Sequence, residues 1–147
     1  MHEIRTEIDI ASTPDKLWAI LTDFPAHASW NPFIRSISGQ AEKGRRLAVS
    51  IQPSGGRAMT FRPTVLVATE NHELRWLGHL VFPGIFDGEH YFLIGASTPG
   101  HVRFVQGEKF SGVLVGFTKA SLDRGTKSGF VAMNAALKAR AENQAGN

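Results

Sequence analysis

Apolar and polar residues alternate at the start of the chain. His2, Ile4, Thr6, Ile8 and Ile10 share one face, and Glu3, Arg5, Glu7 and Asp9 share the other. A period of two with a charged outer face reads as a half-buried strand. Ser12-Thr13-Pro14 then announces a helix, because Thr13 can cap free N–H groups and Pro14 suits the first helical position. Asp15 complements the positive end of the helix dipole. Leu17, Ile20, Leu21 and Phe24 follow at helical spacing as one apolar stripe. Pro25 restricts the residue before it, so the helix is expected to stop near Thr22–Asp23. A second short helical turn over 25–30 closes at Trp30-Asn31-Pro32.

From there the period is two. It predicts strands over Phe33–Ser38, Arg46–Gln52, Met59–Thr69, Leu74–Phe82, Glu89–Ser97 and Val102–Phe110. Pro63 cannot donate to a ladder, so the third of these is an edge or is bulged there. Six strands joined by short turns imply an antiparallel meander, with no alternating helices to build a doubly wound sheet. The period returns to helical at the end, where Phe130, Met133, Leu137 and Ala141 form one stripe of an amphipathic helix over Thr126–Asn143. An earlier start near Gly112 would add Val113, Leu114, Phe117 and Leu122 as anchors. Gly116, Gly125 and Gly129 weaken that extension and place a break near Gly125.

The elements assemble into an α+β fold: a seven-stranded curved antiparallel sheet around a long C-terminal helix, with two short helices between strands 1 and 2. A twisted sheet of seven strands is wider than one helix of about 10–12 Å diameter, so it must curl to exclude water. Curling leaves a space between sheet and helix, and apolar clefts of this kind hold small ligands.

Composition narrows the function classes. The 147 residues are 42% hydrophobic and 20% charged, which fits one folded domain over 1–147. There is no cysteine, which excludes disulfides and thiolate chemistry and fits a reducing, cytoplasmic address. The opening MHEIRTEIDI lacks the apolar core of a signal peptide, and no apolar run reaches the ~18 residues of a membrane span. The net charge is +3, but the 16 basic residues are dispersed among 13 carboxylates. The one basic knot, Lys43, Arg45 and Arg46, reads as a solvated hairpin end, so no nucleic-acid partner is expected. Six histidines, at positions 2, 27, 72, 79, 90 and 101, make no HxH or HExxH pattern, and no metal is expected. With no G-x-G-x-x-G and no P-loop, no cofactor is expected either. Ser111-Gly112 lacks the strand-to-helix context of a nucleophile elbow.

Nearly the whole chain resembles the SRPBCC superfamily, with its START-like or Bet v 1-like helix-grip fold, and within it the polyketide cyclase/dehydrase group. The resemblance is carried by Ile8 to Pro14, Leu17 to Asp23 and Phe24 to Phe33. It continues in Leu74-Arg75-Trp76, Gly88 to Phe92, Phe104 to Gly112 and Gly129 to Lys138. The fold hosts lipid carriers, hormone receptors, ring cyclases, hydrolases and chaperone-binding modules, so it does not select one activity.

Parity assigns the candidate site. Val102, Phe104, Gln106, Glu108 and Phe110 are in phase on the last strand; His90, Phe92 and Ile94 on the one before; Leu74, Trp76, Gly78 and Leu80 on the one before that. The expected ligand-binding set is Trp30, Trp76, Gly78, Phe92, Phe104, Gln106, Phe110, Phe130 and Met133, with His90 and Glu108 as a candidate catalytic pair. A carboxylate beside an imidazole fixes its tautomer and suits acid–base work. The pair can instead be structural, its members satisfying each other or nearby backbone, and the expected role lies between these two: orientation of a ligand by one or both. Trp30 reads either as a pocket-mouth residue or as a plug sealing the short helices. The leading expectation is a carrier of a small hydrophobic, lipid-like or ring-bearing molecule. A cyclase or dehydratase acting on a polyketide-like substrate is the alternative. A co-chaperone-like interaction module is a third, and it predicts a filled core. Pairing of two copies as a homodimer is left open.

Overall fold

The computed structural model describes residues 2–53, 55–79, 83–116 and 122–145. Strand β1 (His2–Ile10) buries Ile4, Thr6 and Ile10 and turns its acidic and basic residues outward, as its alternation requires. Helix α1 (Pro14–Thr22) starts at its proline and buries Leu17, Ile20 and Leu21. Thr13 occupies the N-cap position with extended backbone, but its side chain makes no capping hydrogen bond, contrary to the sequence expectation. A 3₁₀ turn at Phe24–Ala26 leads into the single-turn helix α2 (His27–Trp30).

The strands that follow are β2 (Ile34–Ser38), β3 (Ala48–Ile51), β4 (Met59–Phe61), β5 (Thr64–Thr69), β6 (Glu73–His79), β7 (Asp87–Ala96) and β8 (Val102–Ser111). They form a five-stranded antiparallel sheet in the order β1-β8-β7-β6-β5 and a three-stranded sheet in the order β2-β3-β4. The two are stitched together where Leu47 donates to the Pro63 carbonyl at 2.8 Å and Val65 donates to the Arg45 carbonyl at 2.8 Å.

The predicted strand Met59–Thr69 is two strands. Pro63 has no N–H to give, so the ladder stops at Arg62-Pro63 and the chain turns a corner there. Among the described residues eight strands therefore stand where seven were expected. The corner folds the small sheet over the open end of the large one.

Helix α3 (Lys127–Ala145) lies in the concave face of the large sheet. Its Phe130, Met133, Leu137 and Ala141 are buried against the core, as their spacing predicts. Ahead of it Leu122–Thr126 forms a π-helical turn, which is the break expected near Gly125. The proposed anchors further upstream are not buried: Val113 is 68% exposed and Leu114 40%. Phe117, Leu80 and Phe82 lie outside the described residues, as does the side chain of Leu122. Among the described residues no helix is long and apolar enough to cross a membrane.

Candidate functional site

The antiparallel register of β6, β7 and β8 builds the site in rows. Trp76 stands opposite His90, and His90 opposite Glu108. One row toward the open end, Gly78 faces Gly88, which faces Phe110. One row inward, Leu74 faces Phe92, which faces Gln106. Alternation puts all nine on the concave face.

The glycine row leaves a hollow of about 260 Å³. Its floor is Trp76, Gly78, Gly88, His90, Glu108 and Phe110. Its far wall comes from the small sheet, through Phe33, Ile34, Val49, Ile51, Met59 and Phe61. Phe86, His79 and Leu114 stand at the remaining side, and Thr126 is the contribution of the turn leading into α3. The lining is mostly apolar, with a short set of polar side chains.

His90 is 5% exposed and enclosed by rings. Trp76 stacks on it at 5.4 Å between ring centres, Phe92 lies at 4.7 Å, and Phe130 meets it edge-on at 5.0 Å. Its Nδ1 is 3.0 Å from Glu108 Oε1, and its Nε2 is 3.0 Å from Gln106 Oε1. The direction of these bonds follows from a neighbouring carbonyl, which can only accept. The Thr6 hydroxyl donates to the Gln106 backbone oxygen at 2.8 Å. Its own oxygen therefore accepts from Asn134 Nδ2, also at 2.8 Å. Asn134 Oδ1 is then the acceptor for Gln106 Nε2 at 2.8 Å, which leaves Gln106 Oε1 facing His90. His90 Nε2 must carry a hydrogen, and one further proton lies between Nδ1 and Glu108 Oε1. The unit is neutral overall wherever that proton sits.

The structure brings Trp76, Gly78, His90, Glu108 and Phe110 together at the hollow. It places Phe92, Phe104, Phe130 and Met133 beneath it, fully buried between sheet and helix. Gln106 is 0% exposed and touches the site through His90 alone. Trp30 packs against His27 at 4.8 Å, away from the hollow, with its indole N–H buried and unpaired among the described residues. The hollow thus lies at the open end of the grip, bounded chiefly by the two sheets, with Phe92, Phe104, Phe130 and Met133 buried beneath it. The expected space lay between sheet and helix, whereas this one takes only Thr126 from the turn leading into α3. An entirely filled core, which the interaction-module reading requires, is not what the molecule has.

The small-sheet wall, Phe86, Gly88 and His79 were not anticipated. Val49/Ile51 and Met59/Phe61 alternate in phase along their strands, but nothing local said which hollow they would face. At the rim, the His79 ring bonds Asp87 at 2.7 Å and holds that carboxyl below the usual carboxylate range. Asp87 also accepts from the Gly84 N–H, fastening the loop beside the opening. Among the described residues no three histidine, aspartate or glutamate side chains converge as a metal site.

The profile of the family described as polyketide cyclase / dehydrase and lipid transport matches residues 1–142. The chain belongs to this family. No curated protein matches it. Among solved structures it is similar to a START superfamily protein from Mycobacterium smegmatis, with 19% identity and a TM-score of 0.73 over 98% of this chain and 99% of that one. It is also similar to the ZhuI aromatase/cyclase from Streptomyces sp. R1128, with 13% identity and a TM-score of 0.75 over 98% and 95%. A hypothetical protein from Helicobacter pylori has 17% identity and a TM-score of 0.77 over 95% and 88%. At these identities the likeness is one of fold, and it is the helix-grip fold of START-like proteins.

Proposed function

We propose that this family member binds a small hydrophobic, ring-bearing molecule in the hollow between its two sheets. The observation that carries the reading is an apolar-walled space of about 260 Å³ kept open by two facing glycines. Burying apolar ligand surface there gains about 25 cal/mol per Å² removed from water. Trp76, Phe110, Phe33 and Phe61 supply flat faces for a ring. Native mass spectrometry after gentle purification tests the proposal, with an adduct of a small organic molecule as the expected result. Thermal shift with a panel of one- and two-ring compounds is the second arm. A ligand at a hundred times its Kd adds about 2.7 kcal/mol to stability. That raises the Tm of a chain this long by roughly 5–10 °C. Neither an adduct nor a shift with any compound would overturn the proposal.

The meeting of His90 and Glu108 at the wall of the hollow favours a second reading, a cyclase or dehydratase acting on a polyketide-like substrate. A neutral imidazole–carboxyl unit holding one shared proton can take a proton from carbon and return one to oxygen. Turnover that survives replacement of either residue by alanine excludes that chemistry.

A further inference from the structure

Glu108 is engaged on one side only. Its Oε1 meets His90, whereas its Oε2 has no hydrogen-bond partner among the described residues and borders the hollow. The bond directions around Gln106 settle what this atom can do. If the shared proton rests on Nδ1, Glu108 is a carboxylate and Oε2 accepts. If the proton rests on Oε1, Oε2 is a carbonyl oxygen and still accepts. In both forms the floor offers an acceptor that has no partner among the described residues. A buried acceptor left unpaired when water is expelled costs about 1–3 kcal/mol.

Size adds a second restriction. A cavity of about 150 Å³ accommodates benzene, and this one is roughly twice that. Two fused rings fit within a space of this volume.

Resting on the reading that the hollow binds a small apolar molecule, we propose that its ligand is a one- or two-ring compound that presents a hydroxyl or amine hydrogen to Glu108 Oε2. A carboxylate of the same shape would set acceptor against acceptor and is turned away. Gly88 is part of the device. A Cβ at that position would lie 2.1 Å from Oε2, so the glycine is what lets the carboxyl group lie flat along the floor.

Calorimetric titration of the full chain with naphthalene, 2-naphthol, 2-methoxynaphthalene and 2-naphthoate tests this. The expected order is 2-naphthol at least tenfold tighter than naphthalene, the methyl ether no better than naphthalene, and the carboxylate weakest. In Glu108→Met the advantage of 2-naphthol over naphthalene is expected to disappear. The ether comparison reads the same donor without a variant, so it stands if Glu108→Met does not fold. Equal affinities for 2-naphthol and naphthalene overturn this inference and leave the hydrophobic-ligand reading in place. A preference that persists in Glu108→Met overturns the assignment to Oε2. Binding of none of the four overturns the hydrophobic-ligand reading together with the inference.

Discussion

Gly78 and Gly88 stand directly opposite each other across β6 and β7, and the hollow begins where their side chains would have been. They are not equivalent. A Cβ on Gly78 would find ordinary contact, 3.5 Å from Pro63, while one on Gly88 would drive into the Glu108 carboxyl group. Gly88→Ala is therefore expected to fold, to push Glu108 off His90 and to weaken 2-naphthol binding at least tenfold. Gly78→Ala is expected to weaken it less than threefold. Calorimetry on the two variants checks this, and identical effects would contradict the geometry.

The buried relay from Thr6 through Asn134 to Gln106 has no slack. Asn134 is 3% exposed and bonds both neighbours. In Asn134→Leu, Gln106 Nε2 keeps only its 3.5 Å contact with the Phe130 carbonyl, and the Thr6 oxygen loses its donor. Leaving buried polar groups unpaired at about 1–3 kcal/mol each predicts a loss of roughly 2–4 kcal/mol in urea denaturation. A loss under 1 kcal/mol would mean the amide is not held as described.

Gly129 sits inside α3, where alanine ordinarily gains about 1 kcal/mol. Here a Cβ would lie 2.3 Å from the Phe33 ring. Overpacking costs about 1–3 kcal/mol, so the two effects oppose and the clash wins. Gly129→Ala is expected to lower the Tm, and a raised Tm would show that Phe33 yields freely.

His27 gives a pH signature. It is 1% exposed, its Nε2 donates to the Leu21 carbonyl at 2.7 Å, and its Nδ1 accepts from Asn31 at 3.1 Å. Burial pushes its pKa below the ordinary histidine value, so the folded chain resists a proton that the unfolded chain takes up near pH ~6.5. Stability is therefore whole above that pH and falls as the pH drops, by at most about 1.4 kcal/mol per unit, until the folded ring also protonates. Denaturant titrations between pH 7 and 5 are expected to show this slope in the native chain and to lose most of it in His27→Gln. An unchanged slope would assign the effect elsewhere.

Much of the architecture was legible because alternation and helical spacing are local. Ile4, Thr6 and Ile10 turned inward, and Phe130, Met133, Leu137 and Ala141 lined one helix face, as their periods demand. The pairing of His90 with Glu108 was also within reach, since both are in phase on neighbouring strands of a hairpin. Phe92, Phe104, Phe130 and Met133 shared that inward phase, yet they are core beneath the hollow. Parity tells which face a side chain occupies and not how deep along the element empty space lies.

The residues of this chain by themselves determined most of the order of elements, their buried faces and an irregularity at Pro63, because each follows from backbone chemistry within a few positions, whereas the split of Met59–Thr69 into two strands at a corner did not show locally. Tertiary structure alone decided that Gly78 and Gly88 would meet, that the small sheet would fold over them, and that Asn134 of the last helix would orient His90 through Gln106. Those outcomes join positions 10 to more than 100 residues apart, and their geometry is set by strand register and sheet curvature, which no local pattern encodes.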